Sequence, residues 1–224
     1  MRIIPLSAVL LSTWISCSAF ANHIDAEPRP GNSAGPDKNR TVSAYIGGGW
    51  GFGGDEIGRF ADSNGAIEKV RSGGGLLLEG GLLFPLDRGT RLRLTAGYQI
   101  DSASRINGDT AFERFRFDGT LLRGYGPHEF GIGITTHTSV AYNCNIDPIC
   151  SGEVEFDSAV GYTLEYALRI GSVNSYRRRG RDTTTGVRLG LRYTGIEYQP
   201  QVSNSTVEDI KDGNSVVGFI GFSF

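Results

Sequence analysis

Lysine is almost missing from this chain. Of its 22 basic residues only three are lysines, at positions 38, 69 and 211, and the other 19 are arginines. A sheet that faces water normally carries lysine, so this scarcity disfavours a fold made of water-facing strands. The formal net charge is only −2, and such a balance gives no support for a nucleic-acid partner.

Long apolar runs are also missing beyond the first residues of the chain. Arg2 is followed by a short apolar core over residues 3–15 and by small residues that permit cleavage after Ala21. The apolar core is too short for a comfortable membrane-spanning helix. Residues 1–21 are therefore predicted to be a signal peptide. An uncleaved N-terminal anchor and a lipoprotein lipidated at Cys17 are the alternatives.

Cysteine is scarce as well. Cys17 lies in the predicted signal peptide, so Cys144 and Cys150 remain as a pair in an exported chain. An even pair of cysteines in an exported protein predicts a disulfide, here in the loop after the fifth strand. Metal ligation is the alternative, but two thiols without a nearby histidine make a poor metal site. We therefore expect no metal and no cofactor.

Glycine is abundant, with 33 residues, and an alternation of apolar and polar residues begins near Thr41. An alternation with a period of two is the pattern of a half-buried β-strand. The clearest example sets Leu92, Leu94, Ala96 and Tyr98 against Arg91, Arg93, Thr95 and Gly97. Eight strands are predicted, at residues 41–52, 73–85, 90–100, 112–124, 128–142, 153–171, 184–198 and 214–224.

The predicted connections between these strands alternate in kind. Those after strands two and four are tight turns, and those after strands one, three, five and seven are longer and polar, with a long link after strand six as the exception. Short turns at one end and longer loops at the other are typical of outer-membrane β-barrels, whose short turns are periplasmic. With eight strands, both termini lie at the short-turn end.

The end of the chain carries the most specific likeness. The segment 218–224, with Phe222 and a final Phe224, resembles the C-terminal assembly signal of outer-membrane proteins. From Thr41 to Phe224 the chain resembles the small outer-membrane β-barrel family in the broad sense. The resemblance implies an all-β, eight-stranded antiparallel up-and-down transmembrane β-barrel in the bacterial outer membrane.

Residues 22–40 are polar and contain three prolines and several Gly, Ser and Asn residues, so they are predicted to be a flexible periplasmic lead-in to a barrel domain at residues 41–224. The pattern of connections makes both termini periplasmic. The barrel-assembly machinery is expected to read the terminal segment. The partners of the folded protein are outer-membrane lipids and lipopolysaccharide, and a monomer is expected.

If the apolar face points outward, the polar face fills the lumen. An eight-stranded barrel is just wide enough for side chains to fill its interior. The near balance of positive and negative side chains predicts a mutually paired plug, with a narrow conducting path as the alternative. The predicted lumen charges are Glu79, Arg91, Arg93, Arg114, Arg116, Asp118, Glu129, Glu155, Asp157, Glu165, Arg169, Arg188 and Arg192.

One short element raises the question of catalysis. His137-Thr138-Ser139 resembles the His-any-Ser element of lipid A deacylases, in which a base and a nucleophile two residues apart share one face of a strand. The alternation turns both side chains toward the lumen, whereas a lipid-cleaving site should open to the bilayer. Val140 also stands where that family usually has Asn.

The predicted function is therefore that of an integral outer-membrane barrel with a structural or surface-interaction role that is not catalytic. A deacylase-like enzyme that uses His137 and Ser139 to modify lipid A is one alternative. A narrow channel is the other.

Overall fold

The structure, a computed structural model, describes residues 42–61, 67–87, 89–105, 108–147, 150–170, 186–201 and 210–224. The predicted signal peptide and the predicted lead-in lie outside the described residues. Nowhere in these ranges does a helix reach the length and apolar character that crossing a membrane requires.

The described residues form strands throughout the chain. In chain order they are β1 (Ser43–Gly53), β2 (Glu56–Ala61), β3 (Ile67–Arg71), β4 (Gly75–Pro85), β5 (Thr90–Arg105), β6 (Gly108–Tyr125), β7 (His128–Ile146), β8 (Cys150–Phe156), β9 (Ala159–Ile170), β10 (Gly186–Gly195), β11 (Glu197–Tyr198), β12 (Lys211–Asp212) and β13 (Ser215–Ser223).

Eight of these strands close into a barrel. β1, β4, β5, β6, β7, β9, β10 and β13 pair antiparallel in chain order, and β13 returns to pair with β1 along the seam from Tyr45↔Ser223 to Gly53↔Ser215. Closure gives every strand two neighbours, which is what a sheet needs in hydrocarbon, where an unpaired edge has no water to satisfy it. The predicted eight-stranded antiparallel up-and-down barrel is confirmed.

The outer surface of the barrel is apolar. Large apolar side chains from all eight strands are exposed on it, among them Ile46, Leu78, Leu94, Phe117, Ile132, Leu164, Leu191 and Phe222. No lysine lies on a barrel strand, because Lys69 belongs to β3 and Lys211 to β12. A continuous apolar surface of this size would drive association in water, whereas in a bilayer it faces acyl chains. The outer surface of the barrel is therefore that of a membrane-embedded protein.

Leu77 and Leu83 on β4 stand at positions where the alternation would place polar residues, and both point inward. Leu77 packs with Ala167, Val217 and Phe219, while Leu83 packs with Tyr45 and Leu122. The interior of the barrel thus holds apolar clusters as well as charged side chains, and the sequence irregularity at these leucines reflects that mixture.

Several predicted loops are in fact strands, and this corrects the prediction. β5 runs to Arg105 before β6 begins at Gly108, and β7 runs to Ile146 before β8 begins at Cys150. The link after the first strand contains the β2–β3 hairpin. Apolar side chains are sparse in these segments. Val70, Ala103 and Ile146 are buried, but they do not form the regular alternation that identifies a barrel strand, although the backbone pairing continues.

The predicted sixth strand is two strands, which is a second correction. β8 and β9 both pair with β7, and the chain leaves the ladder between them at Asp157 and Ser158. A comparable irregularity lies on β7 at Ser139, the one described non-glycine residue with a positive φ, at 49°. There two residues of β7 stand where β6 has only Arg114, which is the pattern of a β-bulge.

Both irregularities exchange the faces of the strand. On the short-turn side of these irregularities, the odd-numbered residues of β7 and β9 point inward. On the opposite side, the even-numbered residues of β7 and β8 point inward. Val140 and Phe156 are therefore buried, while Ser139 and Glu155 are exposed. An inserted residue has this effect because side chains alternate strictly along a strand.

The exchange of faces produces an apolar cap over the lumen. The cap lies on the side of three extended hairpins, formed by β2–β3, β5–β6 and β7–β8. Phe112, Phe156 and Tyr198 meet edge to face within it, with ring centroids 5.6–6.4 Å apart. The cap consists of Val70, Ala103, Phe112, Val140, Phe156, Ala159, Ile196 and Tyr198. Its members come from the barrel wall, from the β2–β3 hairpin and from the segment after β10, so the cap ties the extended hairpins to the barrel.

The predicted disulfide is present, but in a different setting. Cys144 on β7 and Cys150 on β8 are bonded across the extended hairpin, with their Cα atoms 5.9 Å apart. The pair therefore joins two strands rather than closing an irregular loop.

Reduction of this disulfide should leave the barrel folded. The bond closes a short loop beyond the barrel wall, so the loop-length model gives a modest stabilisation of about 2 kcal/mol. A Cys17→Ser variant isolated without reductant should titrate no free thiol, and after reduction it should keep its heat-modifiable migration on electrophoresis. Two free thiols before reduction would contradict the prediction.

Candidate functional site

The barrel interior is the most elaborate polar site in the described residues. Its fully buried charged side chains are the arginines Arg93, Arg114, Arg116, Arg188 and Arg192 and the carboxylates Glu79, Asp118, Glu129 and Glu165. All of them occupy inward positions of the alternation on six barrel strands. Burial of so many charges is tolerable only when they are paired and hydrogen-bonded.

Glu165 on β9 is the hub of this network. Arg93 donates to both of its carboxylate oxygens, with N···O distances of 3.0 and 2.6 Å. Arg188 Nη2 donates to Oε1 at 2.9 Å, and Arg192 Nε donates to Oε2 at 2.9 Å. Arg192 stands directly opposite Glu165 in the β10–β9 register, whereas Arg93 reaches it across the lumen from β5.

A second carboxylate, Glu79 on β4, closes the network from the other side. It accepts two parallel hydrogen bonds from Arg192, at 2.7 and 2.8 Å, in the forked geometry that guanidinium and carboxylate favour. The hydroxyl of Tyr45 donates to Glu79 Oε1 at 2.9 Å. Arg192 thus bridges Glu79 and Glu165, and it lies 3.6 Å from Asp118 as well.

The remaining pairs extend the network toward both ends of the lumen. Glu129 pairs with Arg91 and Arg188 at the short-turn end. Asp118 pairs with Arg116, at 3.3 Å, toward the cap. Because these contacts connect barrel strands that are not all neighbours, the network braces the barrel across its interior.

Two predicted members of the lumen set lie elsewhere, which is a correction. Glu155 and Asp157 are both exposed and take no part in the network. The reason is the break between β8 and β9, which turns Glu155 to the outside and leaves Asp157 in the irregular link. Arg169 is only half-buried, and its in-register neighbour is Arg188 rather than a carboxylate.

Two polar partners in the interior were missed by the sequence analysis. Tyr45 bonds Glu79, and Gln99 accepts a hydrogen bond from Arg116 Nη1 at 3.0 Å. The alternation places both side chains on the inward face of their strands. Nothing in the sequence indicates which charged group they meet, since that depends on the register and on contacts across the lumen.

His137 and Ser139 do not share a face, contrary to the expectation for a His-any-Ser pair. His137 is buried, and its Nδ1 is hydrogen-bonded to the hydroxyl of Tyr198. Ser139 is the bulge residue, and its side chain is exposed. Burial raises the pKa of Tyr198, so its hydroxyl stays protonated. The ring of His137 is thus committed to a structural contact, with Ser139 beyond it on the other face.

The predicted assembly residues lie on the outer surface at the barrel seam. Phe222 and Phe224 are both exposed there. The backbone N–H of Phe224 donates to the carbonyl of Ala44 at 3.1 Å, and the N–H of Ala44 donates to the carbonyl of Phe224 at 2.9 Å. The last residue of the chain therefore completes the pairing between β13 and the start of β1.

Deletion of Phe224 is expected to lower the amount of protein assembled in the outer membrane sharply. The deletion removes both the terminal aromatic side chain and the last two hydrogen bonds of the seam. Quantitative immunoblotting of outer-membrane fractions measures the effect, with Phe224→Tyr as a matched control that keeps the aromatic ring and the backbone pairing. Wild-type levels of the deleted form would contradict the prediction.

No protein-family model matches the sequence, and no curated protein matches it. Among solved structures, the attachment invasion locus protein Ail of Yersinia pestis, solved with the heparin analogue sucrose octasulfate, is similar with a TM-score of 0.44 and 10% identity; the likeness covers 83% of this chain and 99% of that one.

The outer membrane protein AlkL, solved by solid-state NMR in lipid bilayers, is similar with a TM-score of 0.43 and 10% identity. That likeness covers 88% of this chain and 96% of AlkL. At this level of identity neither structure assigns a role to any residue here. What the chain itself shows is clear. It is an eight-stranded membrane β-barrel.

Proposed function

We propose that this protein is an integral outer-membrane barrel with a non-catalytic role in surface interaction. The extended hairpins beyond the barrel wall would be the interacting part. The observation that carries the proposal is the apolar cap, because it holds β5–β8 and the β2–β3 hairpin in a defined arrangement above the lumen. Long loops that served only to join strands would need no core of their own.

The filled interior argues against the channel alternative. Glu165, Glu79 and their arginine partners connect opposite walls of the barrel with hydrogen bonds of 2.6–3.0 Å. The apolar cap lies over one end of this network, and the cluster of Tyr45, Leu83 and Leu122 lies inside the barrel wall as well. A hydrated path would have to break these contacts.

The enzyme alternative is disfavoured by geometry. Catalysis by a base and a nucleophile needs the two side chains within hydrogen-bond reach of each other. His137 points into the capped interior and Ser139 points outward, so the strand wall separates them.

A groove at the barrel rim supports an interaction with outer-membrane lipids. It has a volume of about 390 Å³ and is lined by the aromatic side chains of Trp50 and Phe52 together with Lys69, Arg71 and Asp101. Trp50 and Phe52 are exposed on the outer face, in the setting where aromatic side chains anchor a barrel at the membrane interface. Arg71 and Lys69, which pairs with Glu56 at 3.0 Å, offer positive charge beside them to the phosphate groups of lipopolysaccharide or another lipid.

The proposal is tested with a variant that lacks the tip of the β7–β8 hairpin but keeps the barrel. In a deletion strain, the wild-type protein is compared with a variant whose segment 144–150 is replaced by a two-residue Asn-Gly turn. Attachment of cells to polystyrene reports surface interaction, and sensitivity to sodium dodecyl sulfate reports envelope integrity. The variant should restore detergent resistance as well as the wild type does but should not restore attachment.

Three results would count against this function. One is equal attachment by the wild type and the hairpin variant. The second is a change in the acyl pattern of lipid A, measured by mass spectrometry, when the wild type is expressed, which would favour the enzyme. The third is a steady conductance of the purified protein in planar bilayers, which would favour the channel.

A further inference from the structure

The buried charges of the lumen do not balance. Five arginines and four carboxylates are fully buried there. Arg93, Arg116, Arg188 and Arg192 each form an ion pair with at least one of these carboxylates. Arg114 is the exception, because no carboxylate in the described part of the chain lies within 4 Å of its guanidinium.

Arg114 is also poorly satisfied by neutral groups. Its side chain is 1% exposed and lies under the cap, with the guanidinium carbon 5.2 Å from the centre of the Phe112 ring. Nη2 donates to the carbonyl of Gly74 at 3.2 Å, whereas Nε and Nη1 have no acceptor among the described residues. The carboxylate of Asp101 acts on Arg114 only through space: it forms no ion pair with the guanidinium, and its Oδ2 accepts a hydrogen bond from the backbone N–H of Arg71 at 2.8 Å.

Other donors beside Arg114 lack an acceptor too. Arg116 lies two residues along the same face of β6 and stands opposite His137 in the β6–β7 register. Arg116 Nε and His137 Nε2 are buried and have no partner among the described residues. The Tyr198 hydroxyl has no other acceptor among the described residues, so we assign it as the donor to Nδ1 of His137; the proton of the neutral ring is then on Nε2, which makes that atom a donor.

We propose that Arg114, Arg116 and His137 form a binding site for one small monovalent anion of the chloride type. The class of ligand follows from the chemistry of the site, which offers only N–H donors and carries an excess of one positive charge. A buried cation without a partner is strongly unfavourable, and an anion that accepts these hydrogen bonds removes the imbalance. The apolar cap keeps the site away from bulk water, where chloride would be screened and weakly held.

The test measures unfolding in urea as chloride replaces gluconate at constant ionic strength. The full-length protein is folded in detergent micelles, and sodium gluconate serves as the reference salt because gluconate is too large for the site. A ligand that binds only the folded state raises the unfolding midpoint in a saturable way. The midpoint of the wild type should therefore rise with chloride and reach a plateau, and Arg114→Met should abolish the rise.

The matched control is Arg123→Met. Arg123 is an exposed arginine on the same strand, paired with Asp87 at 3.2 Å, and its loss should leave the chloride effect unchanged. An equal rise in all three proteins would show a general salt effect and overturn the proposal. So would the absence of any rise in the wild type. A third contrary result is an Arg114→Met protein that is more stable than the wild type in gluconate and chloride alike, which would mean that the cation is buried without a ligand.

A second measurement keeps the proposal testable if Arg114→Met does not fold. Crystals of the wild-type protein grown in sodium bromide should show an anomalous scattering peak within hydrogen-bond distance of Arg114. An interior without such a peak would overturn the proposal.

Discussion

Replacement of Glu165 by glutamine is expected to lower the free energy of unfolding by about 3–5 kcal/mol, the cost of breaking a buried ion pair by removing one partner. Glu165 accepts hydrogen bonds from three arginines, so its neutralisation leaves Arg93, Arg188 and Arg192 with too little negative charge. Urea unfolding of the protein in detergent micelles or vesicles measures the loss. Glu155→Gln is the matched control, since Glu155 is exposed and outside the network.

A double-mutant cycle measures how strongly the contributions of Glu165 and Arg192 to stability depend on each other. Arg192→Met alone should also be costly, because it strands Glu79 as well as one oxygen of Glu165. The combination Glu165→Gln with Arg192→Met should cost much less than the sum of the two single changes, because each variant already lacks one side of the same contact. Neutral single variants would mean that the charges are solvated in an open lumen, and the channel would then become the better description of the protein.

Leu94→Arg is expected to destabilise the barrel by about 2–4 kcal/mol, the cost of a basic side chain on the lipid face toward the middle of the bilayer. Leu94 lies on the outward face of β5, between Leu82 and Gly119 on the neighbouring strands. Leu86, in the turn after β4, provides a close control: it is 46% exposed, against 45% for Leu94.

The two leucines differ in what surrounds their exposed surface rather than in how much of it is exposed. Leu86→Arg should therefore change stability by less than about 1 kcal/mol, as expected near or beyond the membrane interface. Unfolding in urea of the two variants in the same vesicles makes the comparison. Equal, small effects at both positions would mean that the apolar band does not contact lipid.

The alternation in the sequence predicted the barrel wall well because lumen and bilayer impose opposite demands on successive residues. On β6 the outward Phe115, Phe117 and Leu121 and the inward Arg114 and Arg116 lie where the pattern puts them. The extended hairpins could not be predicted in this way. Only a few of their side chains, such as Val70, Ala103 and Phe112, are apolar and point into the cap, so the regular alternation that identifies a strand is lost there although the backbone pairing continues.

The two exchanges of face were also beyond the sequence. The bulge at Ser139 requires a positive φ in a serine, and nothing in the local sequence indicates this conformation. The break between β8 and β9, which the local sequence does not indicate either, places Glu155 and Asp157 outside the predicted lumen set. Partner choice depended on register, which sets Arg192 opposite Glu165 but pairs Arg188 with Arg169. Arg93 then contacts Glu165 across the lumen, and Arg188 contacts it diagonally from the neighbouring strand.

The central claim is that the apolar outer face of the barrel lies in lipid, and Trp50 is a natural reporter of it. Trp50 is 53% exposed on that face, and the chain's other tryptophan, Trp14, can be replaced by phenylalanine. The decisive measurement is the fluorescence of the folded Trp14→Phe protein in vesicles of phosphatidylcholine brominated near the head-group end of the acyl chain, the depth at which an interfacial tryptophan lies. Strong quenching relative to unbrominated vesicles, with little quenching by aqueous iodide, is the predicted result. Quenching by iodide with no response to the brominated lipid would contradict the membrane barrel.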